Sequence, residues 1–354
     1  MQNADKKNAL YFYHLYTSFI GIDTIILRKK FNVLGFEFKI KSQLSIPLLW
    51  LRQLVFLIKN RRAKLIFCMF GGYHTIVPSA FGKIFNIPVI IVAGGIDSVS
   101  FPSVNYGNFN KKILGKITEW SYKLSSVIAP ISDYLVNSEY TYQPDDFPRQ
   151  GFLYHCKNLK TPSKVIHNGF VLEKWFYNNE PRNPNSFLTI AANLDSISRV
   201  KIKGVDLIIE TAKLLPQCNF TIIGRDSDTS ALYAPSNVKI VPFIEYEKLR
   251  TFYCEHQYYL QVSMSEGFGN TLAESMLCEC VPIGANAGAI PQIIDNTGFI
   301  LTKKDPQLLK QVIEKALLCD KEKLGKAARN RIIENYGIDK REGEMLKLID
   351  SILV

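Results

Sequence analysis

Short apolar runs alternate along the chain with segments in which apolar residues recur every three or four positions. In the first half, the apolar runs predict strands at 10–16, 36–39, 65–70, 88–92 and 127–130. Helical spacing predicts helices at 20–30 and 45–60, the second with Ser45 as a candidate N-cap and Pro47 in its first turn. Uniformly apolar strands are typical of parallel sheets buried on both faces. The alternation therefore predicts a doubly wound α/β domain.

The second half repeats this alternation. Strands are predicted at 187–191, 220–223, 238–241, 258–262, 281–284 and 299–301, and a terminal helix at 340–354. Between the halves, the Asn- and Pro-rich segment 178–186 is typical of an exposed hinge. Because 354 residues exceed what one hydrophobic core usually supports, we expect two domains.

Two uncharged stretches, 9–22 and 65–82, resemble membrane elements at first sight. The first contains His14 and three tyrosines and precedes no small-residue cleavage site. Glycines, His74 and Pro78 interrupt the second. We therefore expect neither secretion nor a spanning helix. Seven scattered cysteines without a Cys-x-x-Cys pair indicate reduced thiols, as in the cytoplasm.

Positive charge is concentrated at the start of the chain. The net charge is +11, and residues 1–64 hold twelve Lys or Arg but only three acids. This asymmetry predicts a polyanionic partner, such as an anionic membrane surface, a lipid diphosphate or nucleic acid; an ordinary solvated basic face is the alternative. No recognised DNA- or RNA-binding motif is present, so nucleic acid is disfavoured.

These basic residues favour salt-sensitive peripheral attachment to the inner face of the cell membrane. The predicted helix 45–60 carries a face of apolar residues beside them. We expect this face to pack against the sheet rather than enter lipid. Its members are Leu48, Leu51, Leu54, Val55 and Ile58.

The segment from Ser265 to Glu274 reads Ser-Glu-Gly-Phe-Gly-Asn-Thr-Leu-Ala-Glu and joins a predicted strand to a predicted helix. Its glycine loop leaves backbone N–H groups at a helix N-terminus, where the macrodipole favours anions. Glu274 can accept hydrogen bonds from ring hydroxyls, and Glu266 can contact a second group. A diphosphate between two hydroxyl-bearing rings is a nucleotide-sugar. The alternative is a capping box, in which Glu274 only satisfies backbone donors.

In its context this segment resembles the Glu-x7-Glu motif of retaining glycosyltransferases of family 4, which have the GT-B fold. Similar stretches occur in the family's order at 165–170, 203–208, 220–224, 282–294 and 298–301. The resemblance implies two Rossmann-like domains facing across a cleft: residues 1–164 bind the acceptor and residues 165–335 bind the nucleotide-sugar. It also implies that a terminal helix, residues 336–354, crosses back onto the first domain.

The resemblance also implies the site residues. Lys203 and Glu266 are the implied catalytic pair. The implied nucleotide-binding set is Glu274, Asn270, Thr271, Lys203, Arg199, Asn193, Arg225, Phe243 and Ile244. The implied donor-sugar set is Glu266, Gly267, Phe268 and Gly269.

Two positions depart from the family's pattern. Asn193 stands where an arginine is usual, so Arg199 is the candidate replacement, with a plain solvated role as the alternative. The usual His-Gly dipeptide of the first domain is missing. The acceptor-side candidates are therefore Asp97, Gly94, Gly95 and His74. A cap role for Asp97, a buried structural role for His74 and a packing role for Phe243 remain open.

The resemblance implies that the acceptor attacks the donor sugar on the same face that the diphosphate leaves, and that the leaving diphosphate assists the acceptor. We expect no metal and no cofactor beyond the nucleotide-sugar co-substrate. UDP is the favoured nucleotide and GDP the alternative. The expected acceptor is a saccharide or lipid-linked glycan, in cell-surface polysaccharide or glycoconjugate synthesis.

Three other functions compete with glycosyl transfer. A nucleotide-sugar 2-epimerase and a non-catalytic nucleotide-sugar or glycan binder share the expected fold, and both remain open. A dinucleotide oxidoreductase is disfavoured because no Gly-x-Gly-x-x-Gly follows the first strand.

Overall fold

The computed structural model describes residues 6–143, 145–192, 194, 196–225 and 233–353. The first half builds a parallel sheet with strand order β2-β1-β3-β4-β5. Its strands are β1 Asn8–Tyr13, β2 Asn32–Glu37, β3 Leu65–Met69, β4 Val89–Ala93 and β5 Val127–Pro130. Each corresponds to an apolar run predicted as a strand, although β2 starts four residues before the predicted one.

Helices cover both faces of this sheet because alternate strand residues point to opposite sides. Tyr11 of β1 packs in the same core as Leu27, whereas its neighbour Phe12 packs with Leu57 on the other side. The helices are α1 Ser18–Arg28, α2 Ile46–Lys59, α3 Ile76–Phe85, α4 Lys112–Leu124 and α5 Phe152–His155. A small antiparallel pair follows α4, formed by β6 Ser138–Glu139 and β7 Arg149–Gln150.

The second half builds a six-stranded parallel sheet in the order β10-β9-β8-β11-β12-β13. Its strands are β8 Asn183–Ile190, β9 Asn219–Arg225, β10 Val238–Pro242, β11 His256–Gln261, β12 Val281–Ala285 and β13 Phe299–Leu301. Its helices are α6 Ile197–Ile202, α7 Val205–Lys213, α8 Leu249–Glu255, α9 Asn270–Leu277, α10 Ile290–Ile294, α11 Pro306–Leu317 and α12 Lys321–Tyr336. The strand order reverses between β8 and β11, and ligands of doubly wound sheets bind at such a reversal. The predicted pair of Rossmann-like domains is therefore confirmed.

The terminal helix α13, Ile338–Ile352, returns to the first domain and packs against α1. Arg341 donates through Nε and Nη2 to the two carboxylate oxygens of Asp23, each at 2.9 Å. Its Nη1 also donates to the carbonyls of Ile166 and His167. Both charged side chains are buried. The predicted return of the C-terminal helix is thus held by a bidentate ion pair.

The predicted packing of α2 is wrong. Leu48, Leu51, Leu54, Val55 and Ile58, which we expected against the sheet, are 40–61% exposed. The buried residues of the helix are instead Ile46, Leu49, Gln53 and Leu57. The helix is apolar on two sides, so its periodicity does not distinguish the face that meets the sheet. Ser45 precedes the helix without a side-chain cap bond, since its Oγ donates to the carbonyl of Ser42.

Across the described part of the chain, the helices are too short or too polar to cross a bilayer.

Candidate functional site

A cavity of about 380 Å³ opens beside the reversal point of the second sheet and is walled by both domains. The second domain contributes most of the residues predicted for the donor site. The wall there includes Arg199, Lys203, Glu266, Phe268, Gly269, Asn270, Thr271 and Glu274. The first domain contributes Ser18, Phe19, Met69, Phe70, Gly94 and Ile131. The predicted residues, although distant in sequence, are thus brought together around one space.

The glycine loop between β11 and α9 turns sharply before the helix. Gly269, the residue before α9, has φ +96°, a left-handed conformation that glycine adopts without a Cβ clash. The chain then enters α9 with Asn270 and Thr271 at the cavity. The first backbone N–H groups of a helix have no partner within it, so this end of α9 can donate to an anion.

The two domains meet directly at this loop. A Cβ on Gly267 would lie only 2.2 Å from the carbonyl oxygen of Gly94, in the loop after β4. Ser132 Oγ, from the first domain, donates to the carbonyl of Gly267 at 2.6 Å. Gly94 and Gly95, predicted on the acceptor side, therefore lie against the glycine loop before α9, and a side chain at 267 would force the loops apart.

Lys203 and Glu266 form an ion pair in the cavity wall, with Nζ 2.9 Å from Oε2. Their side chains are 23% and 20% exposed. Burial is the largest single influence and lowers the pKa of Lys203, but Glu266 and Tyr106 together raise it more, so the net shift is upward and the lysine stays charged. Arg199 lies one turn earlier, in α6, and lines the same cavity. Two cations are thus available at the site.

Glu274 is 3% exposed, and hydroxyl groups rather than backbone donors hold its carboxylate. Tyr246 donates to Oε1 and Tyr253 to Oε2, each at 3.0 Å. This geometry excludes the capping-box alternative. Burial raises the pKa of Glu274 to about 8, although both tyrosine hydrogen bonds oppose the shift. The indole of Trp175 packs edge-on against both tyrosine rings.

Asn270 and Thr271 are fixed by polar contacts on either side. Asn168 Nδ2 donates to Asn270 Oδ1 at 2.9 Å, and Thr271 Oγ1 donates to Gln261 Oε1 at 3.3 Å. The ring of Phe268 is buried against Phe170 and Tyr336 while still lining the cavity. Asn168 was not predicted as a site residue, although its place in the family-like entry to the second domain could have indicated it.

The residues after β10 that line the cavity differ from those predicted to contact the nucleotide base. Within the described residues, Tyr246 and Leu249 line the cavity, but neither Phe243 nor Ile244 does. Phe243 is 59% exposed, and Ile244 packs against the core. Asn193 and the side chain of Arg225 lie outside the described residues.

Asp97 does not line the cavity. Its buried carboxylate accepts hydrogen bonds from the backbone N–H groups of Gly71, Gly94 and Gly95 and from the Tyr122 hydroxyl. Burial raises its pKa, and these four donors oppose that shift. The cleft-facing role suggested for Asp97 is therefore wrong; the residue ties the loop after β3 to the loop after β4.

His74 is also structural. It is buried, and its Nε2 lies 2.8 Å from the carbonyl oxygen of Met69. Burial lowers the pKa of His74 to about 4, so at neutral pH the ring is uncharged and Nε2–H is the donor. The geometry therefore supports a buried structural role for His74 rather than an acceptor-side role.

These two anchors flank a residue that the sequence analysis missed. Phe70 has φ +64°, a strained conformation for an aromatic residue, and lies between Met69, held by His74, and Gly71, held by Asp97. A Cβ on Gly94 would lie 1.7 Å from the Phe70 ring, so the glycine makes room for that ring at the cavity. The only sequence signal was its place between a strand and two glycines.

The family model described as Glycosyl transferases group 1 matches residues 192–335, the region that contributes Lys203, Glu266 and Glu274. This part of the chain is therefore similar to the glycosyl transferases group 1 family. The curated relatives match only part of the chain. The chain is 39% identical over 99 residues to the trehalose synthase of Thermococcus litoralis, which covers 26% of this chain and 23% of that protein.

A second curated relative is the phosphatidylinositol N-acetylglucosaminyltransferase GPI3 subunit of Saccharomyces cerevisiae. It is 30% identical over 156 residues, which cover 37% of this chain and 32% of the yeast protein. The chain thus spans about a quarter to a third of the length of these curated relatives.

Similarity of fold extends over the whole chain. The structure of Anabaena Alr3699/HepE in complex with UDP and glucose matches with a TM-score of 0.69 at 15% identity, covering 98% of this chain and 100% of that one. At this identity the match shows the fold alone, which is GT-B.

Proposed function

We propose that the chain is a retaining glycosyltransferase of family 4. It would move a sugar from a nucleotide-diphosphate sugar to a saccharide or lipid-linked glycan, at the cytoplasmic face of the membrane, in cell-surface polysaccharide or glycoconjugate synthesis. The observation that carries this proposal is the convergence of Lys203, Glu266 and Glu274 on one interdomain cavity at the N-terminus of α9. A cation, a helix dipole and two carboxylates are what a diphosphate between two hydroxyl-bearing rings requires.

Each group has a role in this proposal. Lys203, Arg199 and the N–H groups of Asn270 and Thr271 bind the diphosphate, and Glu274 accepts hydrogen bonds from the ribose hydroxyls. In the free protein Lys203 and Glu266 neutralise each other at 2.9 Å. A bound diphosphate competes for the lysine and leaves Glu266 free to accept from the sugar hydroxyls, beside Gly267, Phe268 and Gly269.

The proposed transfer breaks the bond between the sugar's anomeric carbon and the diphosphate, and forms the new bond to the acceptor oxygen on the same face. The acceptor's proton passes to the leaving phosphate oxygen. No protein carboxylate has to attack the sugar, so the protein contributes positioning and stabilisation of the leaving charge. Lys203 supplies that stabilisation, and Glu266 positions the sugar.

The relatives support a choice of substrates. The Anabaena protein of the same fold was solved with UDP and glucose, which supports UDP over GDP as the nucleotide here. The yeast relative's name specifies phosphatidylinositol, which supports a lipid-linked acceptor.

A thermal-shift screen of nucleotides and nucleotide-sugars tests this function, followed by a transfer assay with the stabilising donor. A ligand that binds only the folded state adds about 2.7 kcal/mol of stability at a hundredfold excess over its Kd. We expect UDP-sugars to stabilise the protein most. Binding without transfer to any glycan or glycolipid would favour the non-catalytic binder, and release of a 2-epimer would favour the epimerase. No stabilisation by any nucleotide would contradict all three.

Replacing Lys203 by alanine should weaken UDP-sugar binding about 10- to 100-fold while leaving the nucleoside uridine unaffected, because a charge-assisted hydrogen bond contributes about 1.5–3 kcal/mol. Isothermal titration with both ligands measures this difference. Lys201→Ala, at an exposed lysine in α6 just before Lys203, is the matched control and should bind both ligands normally. Equal losses for uridine and UDP-sugar in Lys203→Ala would refute the phosphate role.

We also expect transfer activity to persist in excess EDTA, since the proposed diphosphate partners are a lysine, an arginine and backbone N–H groups. Among the described residues, no group of three or more His, Cys, Asp or Glu side chains is placed to hold a metal ion. Initial rates before and after chelation provide the measurement. A loss of activity that added divalent ion restores would contradict this part of the proposal.

A further inference from the structure

The outward side of α2 carries a continuous stripe of apolar side chains. Leu48, Leu51, Val55 and Ile58 follow one another at helical spacing, and Leu44, just before the helix, extends the stripe. All five are exposed, Leu44 to 92%. A different set of residues packs this helix against the sheet. A helix that is apolar on both sides is typical of one with a second apolar environment outside the domain.

The apolar surface extends beyond α2. The neighbouring helix α3 lies between α2 and α4, and all three cover one face of the first sheet. Ile84 and Phe85 are exposed on α3, as are Ile113 and Trp120 on α4. Large exposed apolar areas are rare on monomeric soluble proteins and mark sites of interaction with proteins or membranes.

Charge decides between these two kinds of partner. From residue 38 to residue 96 the chain has no Asp or Glu. The same stretch has eight basic residues, all exposed: Lys39, Lys41, Arg52, Lys59, Arg61, Arg62, Lys64 and Lys83. None of the eight forms an ion pair with a carboxylate in the described part of the chain.

The opposite side of the same domain is different. Lys29 and Lys30, at the end of α1, pair with Glu342 and Asp350 of α13. The eight basic residues between 38 and 96, the stretch that includes α2, therefore differ from Lys29 and Lys30 in having no carboxylate partner within the described residues. An apolar stripe with basic residues around it matches the acyl chains and phosphates of an anionic bilayer surface.

We propose that the α2 face, defined as the stripe from Leu44 to Ile58 together with the basic residues of 39–64, inserts into the interfacial region of an anionic membrane. The leucines enter the boundary between headgroups and acyl chains, while the flanking Lys and Arg side chains extend to the lipid phosphates. This surface shares no residue with the donor cavity, so the proposal does not depend on the proposed function. Insertion of the apolar stripe predicts binding that salt weakens only in part, whereas a purely electrostatic contact would be released by salt.

Sedimentation of the full chain with lipid vesicles tests this proposal. Vesicles of phosphatidylcholine alone and of phosphatidylcholine with phosphatidylglycerol are compared across a salt series. At about 1 M salt the Debye length falls to about 3 Å, so charge attraction is screened. We expect the protein to bind the anionic vesicles most tightly and to remain partly bound at high salt.

Variants separate the two contributions. Leu48→Gln with Leu51→Gln should weaken binding at least tenfold in low salt and abolish it in high salt. Leu318→Gln with Leu353→Gln, two exposed leucines outside the α2 face, is the matched control and should bind like the unmodified protein. Replacing Lys59, Arg61, Arg62 and Lys64 by Gln should remove the preference for anionic lipid but leave the salt-resistant fraction.

Three results would overturn the proposal. Complete release of the unmodified protein from the vesicles at high salt would show that charge alone holds the protein to the membrane. Unchanged binding by the Leu48 and Leu51 variant would show that the stripe lies outside the contact. Failure to bind any vesicle, with a dimer that the same leucine variant dissociates in size-exclusion chromatography, would assign the face to a second copy of the chain. Unchanged thermal unfolding of each variant establishes that the fold is intact.

Discussion

Replacing Glu274 by glutamine should stabilise the folded protein at pH 8 and above, while weakening its binding of nucleotide-sugars. The pKa of Glu274 is raised to about 8 in the folded state, because its carboxyl group is buried. An unfolded glutamate has a pKa of about 4.3. The folded state therefore binds the proton of Glu274 more tightly than the unfolded state does. The stability that this proton contributes is fully present below the unfolded-state pKa and is lost as the pH rises towards 8. Glutamine carries no charge at any of these pH values.

The expected gain for Glu274→Gln is on the order of 2 kcal/mol in the free energy of unfolding at pH 8.5, falling to less than about 1 kcal/mol at pH 5. The glutamine keeps the shape of the protonated acid, and the hydroxyls of Tyr246 and Tyr253 can reorient around it. Urea unfolding at the two pH values measures this gain. Glu255→Gln, an exposed acid at the end of α8, is the control and should show no comparable dependence on pH.

Nucleotide binding should respond in the opposite sense. The tyrosines occupy one acceptor site on each oxygen of Glu274, and an ionised carboxylate has about four such sites, so ribose hydroxyls can still donate to it. Loss of those charge-assisted bonds should weaken binding by about 1.5–3 kcal/mol. Affinity of the unmodified protein should rise as pH increases towards 8, and that of the variant should stay flat. A variant that is less stable at pH 8.5 and binds donor normally would refute both roles.

The sequence predicted the elements of this site better than the contacts within them. The alternation of apolar runs and helical segments was sufficient for both parallel sheets, because buried parallel strands need nearly continuous apolar residues. The spacing of Glu266 and Glu274 around a glycine loop placed Glu266 in the loop and Glu274 in the first turns of the helix that follows it. Both residues do line one cavity.

Contacts between distant segments could not be predicted in this way. An aspartate after two glycines reads the same whether it faces a ligand or ties two loops together. The difference for Asp97 depends on Gly71 and Tyr122, which are 26 and 25 residues away. Tyr253 likewise reaches Glu274 from another helix, across 21 residues of sequence. In α2 the pattern itself was ambiguous, because a helix with two apolar sides does not indicate which one meets the sheet.

Replacing Asp23 by alanine should destabilise the protein by about 3–5 kcal/mol, because it leaves the buried guanidinium of Arg341 without its anion. The pair joins α1 of the first domain to α13, so the loss also releases the C-terminal helix. We expect a lower midpoint of denaturation and earlier proteolytic cleavage near residue 337, where α12 ends and α13 begins. Lys29→Ala, which breaks an exposed pair between the same two helices, should cost less than about 1 kcal/mol.

A double variant identifies the cause of this loss. Asp23→Leu with Arg341→Met removes both charges and keeps apolar volume, so no unpaired ion remains buried. Buried ion pairs often contribute little net stability relative to apolar residues of similar size, because desolvation opposes their attraction. Stability of the double variant should therefore recover most of the loss seen in Asp23→Ala. The carbonyls of Ile166 and His167 lose their donor in the double variant, which should leave a remaining cost of about 1–3 kcal/mol. A double variant as unstable as Asp23→Ala would mean that the ion pair itself, and not the avoidance of an unpaired charge, holds α13 to the first domain.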